Sequence, residues 1–282
     1  MEARLLRCPF VYSNYQSILT KHARDCWRIS FDFYYLKFFT QTNLAMSDLD
    51  VAATLDGLST VPVHIWSIAY FGLSAASLIR TVFTFPTQEL QAQLPHVLPV
   101  LGFIFASAAF SFFCLRSRLV RRSAEEEKVG ALLLIASSAL AFVYFQFYHN
   151  AFARCFYILA LGLVGTYATF VTWHGTANFA TICITYGAFA LVPAAHASLR
   201  PTACTLNLTL YFILFSGMNA TGGLLDAWRI PDRFAGLAGN SVSQLLMHIC
   251  ISFAARQFLE KLLAAYISAE RGSVLECRGW SW

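Results

Sequence analysis

His248 lies in the stretch GNSVSQLLMHIC, with Gln244 one helical turn before it, and both fall inside a long apolar run. Side chains four apart on a helix point to one place, the arrangement that a metal ion or a polar cluster needs. Ser107 and Ser111, in SAAFSFFCLRS, repeat that spacing near the end of another apolar run that stops at Arg116. His64 stands at the start of a first such run, Glu127 just before a third and Asp226 just after a sixth. If these runs cross a bilayer, each polar group is expensive where it stands and is a candidate for function. The chemistry on offer is metal binding, metal-assisted hydrolysis or a hydrogen-bond network between helices. The plainer reading is that serine and glutamine tie helices together and that histidines and carboxylates at helix ends face headgroups.

The elements that must position these residues follow from hydropathy. Hydrophobic residues make up 57% of the 282 and charged residues 12%, and the charges cluster between apolar stretches. Uncharged runs of about 20 residues have the length of a bilayer crossing. Seven apolar runs of at least this order are present, at roughly 61–79, 96–115, 129–149, 155–173, 176–196, 204–225 and 240–266, only the last of them carrying charges. The fold class is thus an all-α membrane protein, a seven-transmembrane helix bundle. The last run exceeds what a bilayer requires, so it is expected to tilt or to project. Residues 1–60 form an N-terminal segment with scattered charges and no short apolar stretch of the signal-peptide kind. Within it, WRISFDFYYLKFF (27–39) is aromatic and basic, and reads either as an interfacial helix or as a short helix packed under the bundle. The domains are then 1–60, a helical region 61–268 and a tail 269–282.

Basic residues set the orientation. With the N-terminus in the cytosol, thirteen of the 20 lysines and arginines lie inside, in the N-terminal segment, at 116–128 and at 229–233. Seven lie outside: Arg80, Arg154, Arg200 and, read as belonging to the tail, Arg256, Lys261, Arg271 and Arg278. The expected topology is N-terminus cytosolic and C-terminus outside, in the plasma membrane or the Golgi. The net charge of +5 is accounted for by anionic lipid beside the spans, so no nucleic acid is implied. The eight cysteines form no CxxC pair and fall mostly within spans, where cysteine acts as a small hydrophobe. Asn207-Leu-Thr and Asn219-Ala-Thr fit the glycosylation pattern but lie within a span. His96, His149 and His196 end their spans on the outer side, where a second metal site competes with ordinary interfacial placement. Gly162 and Gly165 give a small-residue surface that permits close helix contact and hence a homo-oligomer.

Several stretches resemble the progestin and adiponectin receptor (PAQR) family, which includes the haemolysin III-like proteins. His64-Ile65-Trp66-Ser67 is similar to the family's NIWTH stretch on its first span. Residues 107–117, SAAFSFFCLRS, resemble its second-span pattern SxxFHxxxCHS, and Glu127 falls where the family opens its third span with an aspartate. Arg229-Ile230-Pro231-Asp232-Arg233 resembles the loop RxPER, and Gly239-Asn240-Ser241 through Met247-His248 resembles GNSHQIMH. The resemblance covers residues 60–268. It implies a zinc ion held by three histidines, one at the position of Ser111 and two at those of Gln244 and His248. This chain keeps only His248 of the three.

Serine hydroxyls and glutamine amides are poor zinc donors. Ser107, Ser111, Glu127, Gln244 and His248 therefore read as a degenerate metal site, in which Ser111 and Gln244 would hydrogen-bond each other and His248. His64, Glu127 and Asp226 are auxiliary polar groups that a rearranged ion would require. Two functions follow. The first is a non-catalytic, receptor-like signalling protein of the PAQR type whose bundle holds a membrane lipid or steroid-like ligand and which expects no cofactor. The alternative is a zinc-dependent, ceramidase-like intramembrane amide hydrolase, in which metal-bound water attacks the amide.

Overall fold

A computed structural model describes residues 60–83, 87–120, 124–175, 178–199, 203–229 and 241–270. The interfacial stretch 27–39, the loop Ile230–Arg233 and the tail beyond residue 270 lie outside them. Seven helices make up the described chain: α1 (Val61–Phe83), α2 (Thr87–Val120), α3 (Ala124–Gln146), α4 (Ala151–Trp173), α5 (Phe179–Leu199), α6 (Ala203–Trp228) and α7 (Ser241–Glu270). Each contains a stretch long and apolar enough to cross a membrane, so the protein is a seven-helix integral membrane bundle. Helix is the form such stretches must take, because a bilayer core offers no water to the backbone N–H and C=O groups.

The helices differ in what surrounds them. Half of the α3 span is buried, against 22% of the α4 span, so α3 runs through the middle and α4 along the edge. On α4, Phe152, Phe156, Leu159, Leu163, Tyr167 and Phe170 stay exposed at three- and four-residue spacing, forming a face toward lipid. Asn150 caps this helix, its side chain accepting from the Ala153 N–H at 3.0 Å. α2 reaches further toward its N-terminus than the hydropathy suggests, so that Pro95 and Pro99 lie inside it rather than at its start.

Phenylalanine fills the centre. Phe142 of α3 stacks on Phe212 of α6 at 4.4 Å, and Phe215 of α6 lies against Phe258 of α7 at 5.2 Å. Phe103 of α2 meets Phe258 edge-on at 5.3 Å, and Phe71 of α1 meets Phe103 at 6.5 Å. Five helices thus contribute rings to one plug, and each offset or edge-on pair adds about 0.5–1.5 kcal/mol beyond area burial.

Glycines set the close approaches. A Cβ on Gly222 of α6 would stand 3.3 Å from the backbone of Met247 on α7, and one on Gly130 of α3 would stand 3.2 Å from the Phe110 Cα on α2. Gly165 of α4 faces the Tyr186 hydroxyl of α5, whereas Gly162 faces open space. The Gly162/Gly165 surface is therefore half used inside the chain. Arg256 and Lys261 do not belong to a tail: both stand on α7 within its span. The Arg256 guanidinium pairs with Glu260 at 3.2 Å and lies over the Tyr70 ring, while Lys261 lies 4.4 Å over Tyr211. Pairing and cation–π contact reduce the cost of charge at that depth.

Candidate functional site

The N-terminal ends of α1, α3 and α7 and the C-terminal ends of α2 and α6 lie at one end of the bundle, because consecutive spans alternate in direction. His64 stands in the first turn of α1, Cys114 in the last turns of α2 and His248 two turns into α7. The structure brings these three together. One ligand atom from each, an imidazole nitrogen from both histidines and the Cys114 sulfur, lies within 4.8 Å of the other two. His64, Cys114 and His248 are all fully buried, at 0% exposure. The two imidazoles meet edge to face, with centroids 4.4 Å apart and planes 76° apart.

Packing holds this geometry from several sides. One turn deeper, the Ser67 hydroxyl of α1 donates to the Ser252 hydroxyl of α7 at 2.9 Å. The Phe110 ring of α2 lies 6.2 Å from the His248 ring. Gly222 lets α6 approach α7 at Met247, next to His248. Beneath lies the phenylalanine plug.

The other polar residues take different places. Ser107 and Ser111 are buried on α2 at 2% exposure, but the Ser107 hydroxyl donates back to the Phe103 carbonyl of its own helix at 2.8 Å. Gln244 is half-buried one turn before His248. Glu127 is half-buried and accepts from the Ser117 hydroxyl at 3.1 Å. That hydroxyl has one proton and a second acceptor, the Cys114 carbonyl at 2.9 Å, so it alternates between them. Asp226 is half-buried near the end of α6, and its carbonyl accepts the N–H of Arg229, whose left-handed φ of 49° ends the helix. Among the described residues neither carboxylate joins the His64, Cys114 and His248 group. Neither do the far-end histidines: His96 meets the Tyr144 hydroxyl at 3.0 Å and His196 the Tyr157 hydroxyl at 2.8 Å, while His149 is exposed.

Sequence reasoning singled out His64 and His248 but took Cys114 as apolar filler. A usable signal was present: Cys114 follows Ser107 and Ser111 at three- and four-residue steps and so shares their helical face.

At the opposite end of the bundle, α1 and α2 leave an apolar groove of about 170 Å³ between them, lined by Ile79, Val82, Phe83, Leu94, Val97, Leu98 and Leu101. Among the described residues no polar surface lines it.

No protein-family model matches this chain, and no match was found among curated proteins.

Proposed function

We propose that the chain is a non-catalytic, receptor-like membrane protein of the PAQR type, which takes a lipid or steroid-like ligand in the groove between α1 and α2. The groove carries this reading: among the described residues seven apolar side chains and no polar surface line it, which suits a ligand drawn from the bilayer rather than from water. Its volume is close to that of an engineered cavity of about 150 Å³ that admits benzene, so it seats one ring or a few methylenes and leaves the rest in lipid. A ligand enclosed in the bundle centre is disfavoured by the stacked rings of Phe142, Phe212, Phe215 and Phe258. In this reading the N-terminus is cytosolic, the C-terminus outside, and the membrane the plasma membrane or the Golgi.

The hydrolase reading has less support. It requires a metal, a water and a carboxylate at one point. The resemblance places that point among Ser111, Gln244 and His248, a set with one good zinc donor, and Glu127 is engaged by Ser117.

Photolabelling tests the ligand. A diazirine-bearing sterol and a diazirine-bearing fatty acid, applied to protein in vesicles, should label Ile79, Leu94 or Leu98, with competition by unlabelled lipid. Ile79→Trp, which fills the groove, should lower that labelling about tenfold, a loss of roughly 1.4 kcal/mol. Labelling spread evenly onto Leu159 and Leu163 of α4 and insensitive to Ile79→Trp would mean contact with bulk lipid and refute the site.

A further inference from the structure

We propose that His64, Cys114 and His248 form a three-coordinate site for a monovalent soft metal ion, Cu(I). The donor set and the charge balance point there. A thiolate and imidazoles suit Cu(I) and Zn²⁺, whereas Mg²⁺ and Ca²⁺ require oxygen donors. Among the described residues no carboxylate joins the group, and all three side chains are at 0% exposure. Binding would form the Cys114 sulfur–metal bond with release of the thiol proton to solvent, while each imidazole gives a nitrogen lone pair. Cu(I) with one thiolate and two neutral imidazoles is electrically neutral. Zn²⁺ in the same place leaves a net positive charge fully buried in an apolar bundle, which is strongly disfavoured.

The geometry is close to what the ion needs. Metal–nitrogen and metal–sulfur bonds of about 2.0 and 2.3 Å in a trigonal arrangement put the ligand atoms roughly 3.5–3.8 Å apart. The three atoms here lie within 4.8 Å of one another, so small side-chain rotations of about 1 Å close the site. The 76° angle between the imidazole planes lets both rings approach one point without overlapping. The donors come from three helices, and the Ser67–Ser252 hydrogen bond fixes two of these against each other. This arrangement differs from the set that the PAQR resemblance implies, sharing only His248, and it does not depend on the lipid groove.

The test is an anaerobic Cu(I) titration of the detergent-purified full chain against a bicinchoninate competitor. It is run in a Cys155→Ser background, because Cys155 is an exposed thiol. One Cu(I) per chain should bind. Cys114→Ser and His248→Gln should each weaken it by at least about 100-fold, the upper end of what losing even an outer-shell partner costs. Ser111→Ala should leave it unchanged. X-ray absorption on the copper-loaded chain should show one sulfur at about 2.3 Å and two imidazoles. That readout stands even where the Cys114 and His248 variants fail to fold. Four results overturn the proposal: no Cu(I) uptake, uptake indifferent to Cys114→Ser, no sulfur in the copper shell, or stoichiometric Zn²⁺ held by the triad in preference to Cu(I). The first would leave the triad as two edge-packed histidines and an apolar thiol.

Discussion

Gly165→Ala isolates one close contact and sets two known effects against each other. The new Cβ would stand 2.5 Å from the Tyr186 hydroxyl oxygen and 3.1 Å from its ring carbon Cζ. Tyr186 is 1% exposed, and its hydroxyl donates to the Leu161 carbonyl at 3.4 Å, so the rigid ring has little room to swing away. Relief takes about 1 Å of movement between α4 and α5, in the range where overpacking costs about 1–3 kcal/mol. Replacing glycine by alanine inside a helix returns about 0.8–1 kcal/mol. The net expectation is a loss of up to roughly 2 kcal/mol. For a chain of this size that lowers Tm by up to about 8 °C, at about 2–4 °C per kcal/mol. Thermal unfolding in mild detergent, followed by tryptophan fluorescence, measures it. Tyr186→Phe removes the clashing oxygen, so the double variant should recover most of the loss, giving a coupling of about 0.5–2 kcal/mol. A rise in Tm for Gly165→Ala, or a double variant no better than the single, would refute the contact.

Two further expectations separate core from lipid face and fix the topology. Phe258→Ala opens a hole among Phe103, Phe212 and Phe215 and should cost about 3–5 kcal/mol, seen as loss of a monodisperse gel-filtration peak. Leu163→Ala, 65% exposed on α4, should stay within about 0.5 kcal/mol by the same thermal assay; equal effects would mean that α4 is not lipid-facing. Tags at the two ends should differ in protease protection in sealed membrane vesicles of one orientation, those with the cytosolic face outward exposing the N-terminal tag and shielding the C-terminal one. Equal accessibility would imply an even number of crossings.

Some of this was legible in the sequence because it is local. A bilayer crossing depends on about 20 consecutive residues, and a run such as 129–149 meets that condition wherever its neighbours lie. The seven helices therefore fall where the hydropathy puts them, with most limits shifted by a few residues, α3 ending at Gln146 and α6 continuing to Trp228, and the start of α2 by nine, to Thr87. Local spacing also marked the shared face of Ser107 and Ser111, and the placing of His64, Glu127, Asp226 and His248 at one end follows from alternating span direction alone.

What the sequence could not decide is which of those groups meet. All lie at similar depth, and depth is one coordinate; the angular position of each helix around the bundle is set by contacts between residues far apart in the chain. Ser67 and Ser252 touch across 185 residues, and Gly222 admits α6 against α7, choices that no short window records. They turn His64 from an auxiliary residue into the neighbour of His248, leave Glu127 with Ser117, and bring Cys114 beside both histidines. A buried thiol looks the same in sequence whether it fills space or faces two imidazoles, because only the packing of three helices distinguishes the two. Arg256 divides the same way: its place in the run 240–266 and its Glu260 partner one turn on are local, whereas its position over Tyr70 of α1 is decided by packing.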